Sequence, residues 1–363
     1  MRLRTETDSR NYNSVDLAKF ICAVFIIMLH IAPFGRAVKE GSVPYYLNFG
    51  IQKYAARLAV PFFFITAGYF LYRKTVYASF SFSYTKKYAV RILKLYLIWT
   101  LIYFPISLYG MITDNGGFLY SFAGYLRNVV FVGSYTQLWY LNGLIVAVCI
   151  VSFMLHRKIH PLKITCTAFL FYLAGLLGQS WFGLIAPIRE AFPPAWNLLK
   201  LAEKLIVTTR NGLFFGFLFV SVGMVSAYYD IEISKRRAAI LFFASMVFLL
   251  AEVFFLKRSG FIRGYDMYFF LVPSAFFMFC LIRQINLPDH PCYPVLRIMS
   301  SLMFYTHLWI SWILDRLFKI TGISTQHFPV KFIAVLFITL AVSYMIYVLS
   351  CKKRFSFLKK LYT

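Results

Sequence analysis

The chain has 363 residues, 60% hydrophobic, 20% aromatic and only 14% charged, with a mean hydropathy of +0.69. Soluble domains run nearer roughly 45–50% apolar and about 25% charged, so the composition excludes an ordinary soluble globule and points to an all-α, polytopic integral membrane protein. The net charge of +25 does not imply a nucleic-acid partner, because the 38 Lys and Arg lie in short loops between apolar runs, the pattern that sets membrane topology.

Residues 1–14, with Arg2, Arg4 and Arg10, read as a cytoplasmic leader. The apolar run 17–34 follows. It exceeds a signal-peptide core and lacks a small-residue cleavage site behind it, so it is expected to remain as an anchor. Read as a helix, it carries Asp16, Lys19 and His30 on one face. Lys19 and His30 stand roughly three turns, about 16 Å, apart and nearly eclipse, while Asp16 is spaced to pair with Lys19. Pro33 cannot donate to the Leu29 carbonyl, which loosens the backbone beside the histidine.

Nine more spans are expected at 54–72, 88–109, 138–155, 164–181, 212–229, 238–256, 267–282, 295–314 and 330–350. The stretch 118–134, broken by Gly124, Arg127 and Asn128, reads as an interfacial or re-entrant helix. The longest external loop, 182–211, contains Pro187, Pro193 and Pro194 and is expected to form a short surface helix over 198–206. With both termini inside, the larger share of Lys and Arg falls on the cytoplasmic side. The tail 351–363 interleaves Lys352, Lys353, Arg354, Lys359 and Lys360 with aromatics and reads as an anchor to anionic lipid. No repeat relates the two halves, which argues against an inverted-repeat carrier.

Ionisable side chains inside apolar runs are where chemistry is sought first. His30 falls in the outer half of the first span, as a general base toward a hydroxyl or as a histidine bonded to a neighbouring helix; both readings stay open. Lys19 also reads as a lysine snorkelling to the interface. Arg91 and Lys94, three apart at the start of the third span and deeper than Lys86 and Lys87, form a cationic face suited to a phosphate-bearing ligand. Arg57 opens the second span, where Pro61 and Gly68 permit a bend and close helix contact. Arg210-Asn211-Gly212 precedes the sixth span and meets either a polar substrate or lipid head groups. His307, near Tyr305, is a second intramembrane histidine, read first as a core hydrogen-bonder, and Trp139 and Tyr140 fall where an aromatic belt would put them. The six cysteines form no C-x-x-C or Cys/His cluster and are expected as free thiols, with those inside apolar runs packed among helices. There is no P-loop, no Gly-rich dinucleotide turn and no H-E-x-x-H, so neither ATP-driven nor zinc-dependent chemistry is supported, and no metal is expected.

These features together resemble the acyltransferase-3 membrane O-acyltransferases. The resemblance is carried by Lys19 with His30 ten intervening residues later, by the stretch Pro61 to Gly68, by Trp139-Tyr140, by Arg210-Asn211-Gly212, and by Tyr305 with His307. It covers nearly the whole chain as one transmembrane domain of about ten helices in the plasma membrane. It implies transfer of an acyl group, usually acetyl from cytosolic acetyl-CoA, to a hydroxyl of an extracytoplasmic sugar or envelope acceptor. His30 would then be the base or acyl relay, with Lys19 and Asp16 beneath it. Arg91 and Lys94 would face the CoA phosphates, and Arg57, Trp139, Arg210, Asn211, Tyr305 and His307 would line the acceptor side. Lysine stands at positions 19 and 94 where the family often has arginine, keeping charge but losing the bidentate fork. The chain also looks like the membrane domain fused to serine racemases of vancomycin-resistance clusters, which implies a small-solute carrier as the alternative.

Overall fold

The computed structural model describes residues 11–35, 38–76, 82–323 and 329–363; Arg2, Arg4, Arg10 and Arg36 lie outside them. Among the described residues the chain is helical, without strands. Helix α1 (Asn13–Ile31) ends where Ala32 adopts φ 51° ahead of Pro33. Helix α2 (Val43–Lys53) is capped by the Ser42 side chain, which accepts from the Tyr45 N–H at 3.4 Å, and has proline in its first turn, where a missing N–H costs nothing. A single 3₁₀ turn (Ala55–Leu58) carries Arg57 into α3 (Ala59–Val76).

Helix α4 (Phe82–Thr113) is followed by α5 (Phe118–Phe131), which has no buried residue, as suits a surface helix. Next come α6 (Trp139–His156) and α7 (Pro161–Leu177). The expected loop helix is present as α9 (Pro193–Ile206), preceded by the single turn α8 (Ile188–Ala191). A π-turn (Gly212–Gly216) leads into α10 (Phe217–Tyr228). The remaining helices are α11 (Lys235–Ser259), α12 (Leu271–Arg283), α13 (Cys292–Thr321) and α14 (Val330–Ser350).

A helix lies at each expected span. By length and composition, six segments among the described residues suffice to cross a membrane: α1, the joined stretch Val43–Thr75, α4, α6, α11 and α14. A seventh results if α7 is joined to the segment after it across a 78° bend, and Gly212–Tyr228 and α12 are apolar but shorter.

Two seams hold the site in place. Helices α3 and α10 approach until a methyl group on Gly68 would overlap the Val220 carbonyl and one on Gly223 the Ile65 carbonyl. Small residues let backbones meet where lipid supplies no hydrophobic drive. Helices α1 and α13 interlock through Ala23, Ile27 and Ile31 against Met303, Ile310 and Leu314, with Val335 of α14 behind them. His30 and His307 occupy positions of these two ridges, one turn after Ile27 and Met303 respectively.

Several buried charges among the described residues have partners. Lys331 of α14 meets Asp315 of α13 at 2.6 Å, and Arg283 lies on the Tyr69 ring at 4.5 Å while donating to the Ile231 carbonyl. Glu252 of α11 accepts from Trp181 Nε1 and from the backbone N–H groups of Phe269 and Phe270 at 2.8–2.9 Å, so a carboxylate caps the start of α12. The tail does not lie loose: Trp99 of α4 donates to the Leu361 carbonyl at 2.9 Å, leaving the five tail cations exposed. All six cysteines are free. Only Cys22 and Cys280 are buried; Cys149 and Cys166, expected to be packed, are exposed on the helix exterior.

Candidate functional site

The site forms where α1 runs out. Leu29 is left without its ordinary helical donor by Pro33, and the Gln52 side chain of α2 donates to that carbonyl at 3.0 Å. The same glutamine's backbone carbonyl accepts from Arg57 Nε at 2.8 Å, so the loosened helix end is tied to the arginine. His30 is half-buried in this last turn, its ring centroid 5.3 Å from that of His307 and tilted by 32°. His307 is wholly buried; its Nδ1 donates to the Met303 carbonyl at 3.0 Å, and its Nε2 has no hydrogen-bond partner.

Around the two imidazoles lies a shell of fixed charge. Asp266, in the loop before α12, forms ion pairs with Arg57 and with Arg210, the latter at 3.4 Å. Burial pushes the Asp266 carboxyl up, but Arg57, Arg210 and Lys53 outweigh it and hold the carboxyl below its usual range. Arg57, Arg210 and Asp266 all act electrostatically on His30. Two guanidiniums and the Lys53 ammonium against one carboxylate leave the cluster net positive. Arg210 lies over the Trp139 ring at 5.0 Å, and its Nε is buried without a partner.

The order Arg-Asn-Gly at 210–212 has a local explanation. Asn211 Oδ1 accepts from the N–H groups of Leu213 and Phe214 at 3.0 Å, and its Nδ2 donates to the Thr208 carbonyl at 2.9 Å. Its side chain is thus spent on capping the π-turn. At Gly212 any β-carbon would sit 2.7 Å from the Gly143 carbonyl, so glycine lets this turn seat against α6. Asn211 and Gly212 thereby aim Arg210 toward Asp266 and the Trp139 ring. Trp139 is not in an interfacial belt: it is buried beneath Arg210, between Phe64 and Phe215.

The opposite end of the bundle is basic. Ser83, Lys86, Lys87, Val90, Arg91 and Lys94 line an open groove of about 520 Å³ on the first turns of α4. Arg91 and Lys94 are exposed there, not sunk into the span as their sequence position suggests, because they fall on the outward face of α4. Arg91 nonetheless reaches inward, 5.1 Å over the Tyr88 ring. Tyr88 interacts electrostatically with Tyr140 and Tyr305, and Phe304 links Tyr140 (5.5 Å) to His307 (6.5 Å). Ring contacts thus run from Tyr140 through Phe304 to His307. Tyr305 stacks on Trp99 at 5.1 Å, and its carbonyl accepts from Tyr103 at 2.6 Å.

Lys19 lies toward this basic end, its ammonium 5.4 Å over Phe70, and Asp16, which also interacts electrostatically with Lys19, forms an ion pair with Arg297 at 3.6 Å. Neither is brought to His30. The structure thus gathers His30, His307, Arg57, Arg210 and Trp139 at one end and Arg91 and Lys94 at the other, with Lys19 and Asp16 away from the histidine pair. Sequence reasoning missed Asp266 and Gln52. The available signals were an isolated acid in an otherwise basic and aromatic loop, and a proline whose orphaned carbonyl had to find a donor. Among the described residues no group of three or more His, Cys, Asp or Glu converges to hold a metal.

The curated relatives include a serine/alanine racemase of Enterococcus gallinarum, 30% identical over 278 residues, which are 74% of this chain and 37% of that protein. An amino-acid racemase of Enterococcus faecalis is 28% identical over 279 residues, 76% of this chain and 36% of the relative. The match thus spans little more than a third of these relatives' length. No solved structure matches. The profile described as an acyltransferase domain matches residues 12–348, a range that contains every residue of the site above, and the chain belongs to the acyltransferase-3 family.

Proposed function

We propose that the chain is a multi-pass plasma-membrane O-acyltransferase that moves an acyl group, acetyl from cytosolic acetyl-CoA, to a hydroxyl of an extracytoplasmic sugar or envelope acceptor. The observation that carries this reading is His30, half-buried beside His307 and within the field of Arg57, Arg210 and Asp266, inside the region matched by the family. His30 takes the hydroxyl proton as the acceptor oxygen attacks the thioester carbonyl. The surplus positive charge of the arginine pair favours the negative charge that develops there. The Arg91–Lys94 groove holds the donor phosphates, and the ring contacts from Tyr140 to His307 border the route of a thin acyl-bearing arm.

The test uses purified protein in nanodiscs. Acetyl-CoA binding and hydrolysis are expected, with hydrolysis abolished in His30→Ala and binding weakened in Arg91→Ala. Turnover that survives His30→Ala overturns the reading.

A second reading is a small-solute carrier for an amino acid such as serine, the substrate class named for the racemase relatives. Arg210 would take the carboxylate and Asp266 the ammonium of such a zwitterion. Flux of labelled serine into proteoliposomes without CoA dependence selects it.

A further inference from the structure

We propose that His307 is the proton-sharing partner of His30, coming within hydrogen-bond reach of it and taking up its second proton during turnover. The proposal deepens the transferase reading and rests on His30 being its base. A carbonyl only accepts, so the 3.0 Å contact with Met303 fixes a proton on His307 Nδ1. In the neutral ring Nε2 then carries a lone pair. That lone pair is fully buried, has no hydrogen-bond partner, and belongs to a ring 5.3 Å from His30.

A histidine kept only for packing fits this observation poorly. An unsatisfied buried acceptor costs about 1–3 kcal/mol, and a leucine of similar volume would avoid the cost. Its use is as a receiver for a proton that the neighbouring ring gives up. The charged groups around the pair set how many protons it holds. Arg57 faces it from the turn before α3, Arg210 from the segment before the π-turn, and Asp266 from the loop before α12. Further along α13, Asp315 and Lys331 neutralise each other. With net positive charge alongside, a second proton on the pair is disfavoured.

The step balances without another reactant. The acceptor O–H bond breaks and its proton goes to one ring nitrogen of His30, while the proton on the other nitrogen passes to His307 Nε2. The acceptor oxygen bonds to the acyl carbon and the C–S bond of the thioester breaks. The departing thiolate takes the proton back through His30, returning both rings to neutrality. His307 touches neither reactant and is a positioning residue.

The experiment is ¹⁵N-histidine NMR of the full chain in nanodiscs, its six histidines assigned by single substitution, combined with pH–rate profiles of His307→Gln. Glutamine can accept a hydrogen bond from His30 but cannot hold its proton. Expected are an Nδ1-protonated neutral His307, uptake of one proton shared by both rings, and in His307→Gln a shifted His30 titration. The glutamine variant should also lose about tenfold or more in kcat, with an unchanged KM and a displaced acid limb. An Nε2-protonated His307, or a His30 titration unmoved by His307→Gln, overturns the proposal. The wild-type tautomer is decisive even if the variant does not fold. A wild-type protein without acyl transfer defeats the functional reading, whereas the NMR result decides the pairing separately.

Discussion

Gln52 donates its side-chain amide to the Leu29 carbonyl at 3.0 Å, one residue before His30, supplying the hydrogen bond that Pro33 withholds. The catalytic candidate is therefore held by a second helix as much as by its own.

Replacing this donor is expected to loosen the end of α1. Gln52→Leu leaves a half-buried carbonyl unpaired and should cost about 1–2 kcal/mol. Gln52→Glu, which sets an acceptor against an acceptor, should cost more. Thermal melts in detergent rank the two, and equal melting temperatures for both variants and wild type would dismiss the role.

Asp266 ties Arg57 to Arg210, and its carboxyl is held below the usual range. Its stabilising contribution is therefore complete above the unfolded value of about 3.9 and is lost as pH falls through the lower folded value. Asp266→Asn should lower stability at pH 7 by about 1.5–3 kcal/mol, through the lost charged hydrogen bonds, and should flatten the acid-side decline. Melting temperature followed from neutral to acid pH checks both parts, and a variant that melts like wild type at neutral pH contradicts the first.

The two ends of the bundle should separate in kinetics. Arg91→Ala removes a phosphate contact made equally in ground and transition states, so KM for the acyl donor should rise about tenfold with kcat unchanged, and more steeply at low salt. His30→Ala should leave donor affinity intact and remove turnover. Isothermal titration with CoA, alongside turnover assays, distinguishes them; a fall in kcat alone for Arg91→Ala refutes the assignment.

Gly68 abuts the Val220 carbonyl with no room for a methyl group. Gly68→Ala should force α3 from α10 and cost about 1–3 kcal/mol or more, since neither backbone can yield far. Loss of monodisperse protein on size exclusion is the expected readout, whereas Gly50→Ala, with open space around its position, should behave as wild type.

Helical periodicity and span length made the scaffold legible: each apolar run became a helix, and the proline-rich loop carried the short helix its composition suggested. The spacing of Lys19 and His30 was legible too, but not its meaning. Two side chains three turns apart on one face meet different neighbours, Lys19 the Phe70 ring of α3 and His30 the His307 ring of α13. The His30–His307 contact joins residues 277 positions apart, and no local pattern encodes it. Arg91 and Lys94 were misjudged in depth because sequence position gives height along a helix but not which side faces outward.

The π-turn at Gly212–Gly216 holds one residue more than a regular helix would use there. Excising that extra residue would let the segment rewind as plain α-helix, swinging everything upstream by about 100° around the axis. Arg210 would then leave the indole of Trp139, and Asp266 would keep only Arg57. A single surplus residue in the winding of one helix thus sets the bearing of a guanidinium at the mouth of the site.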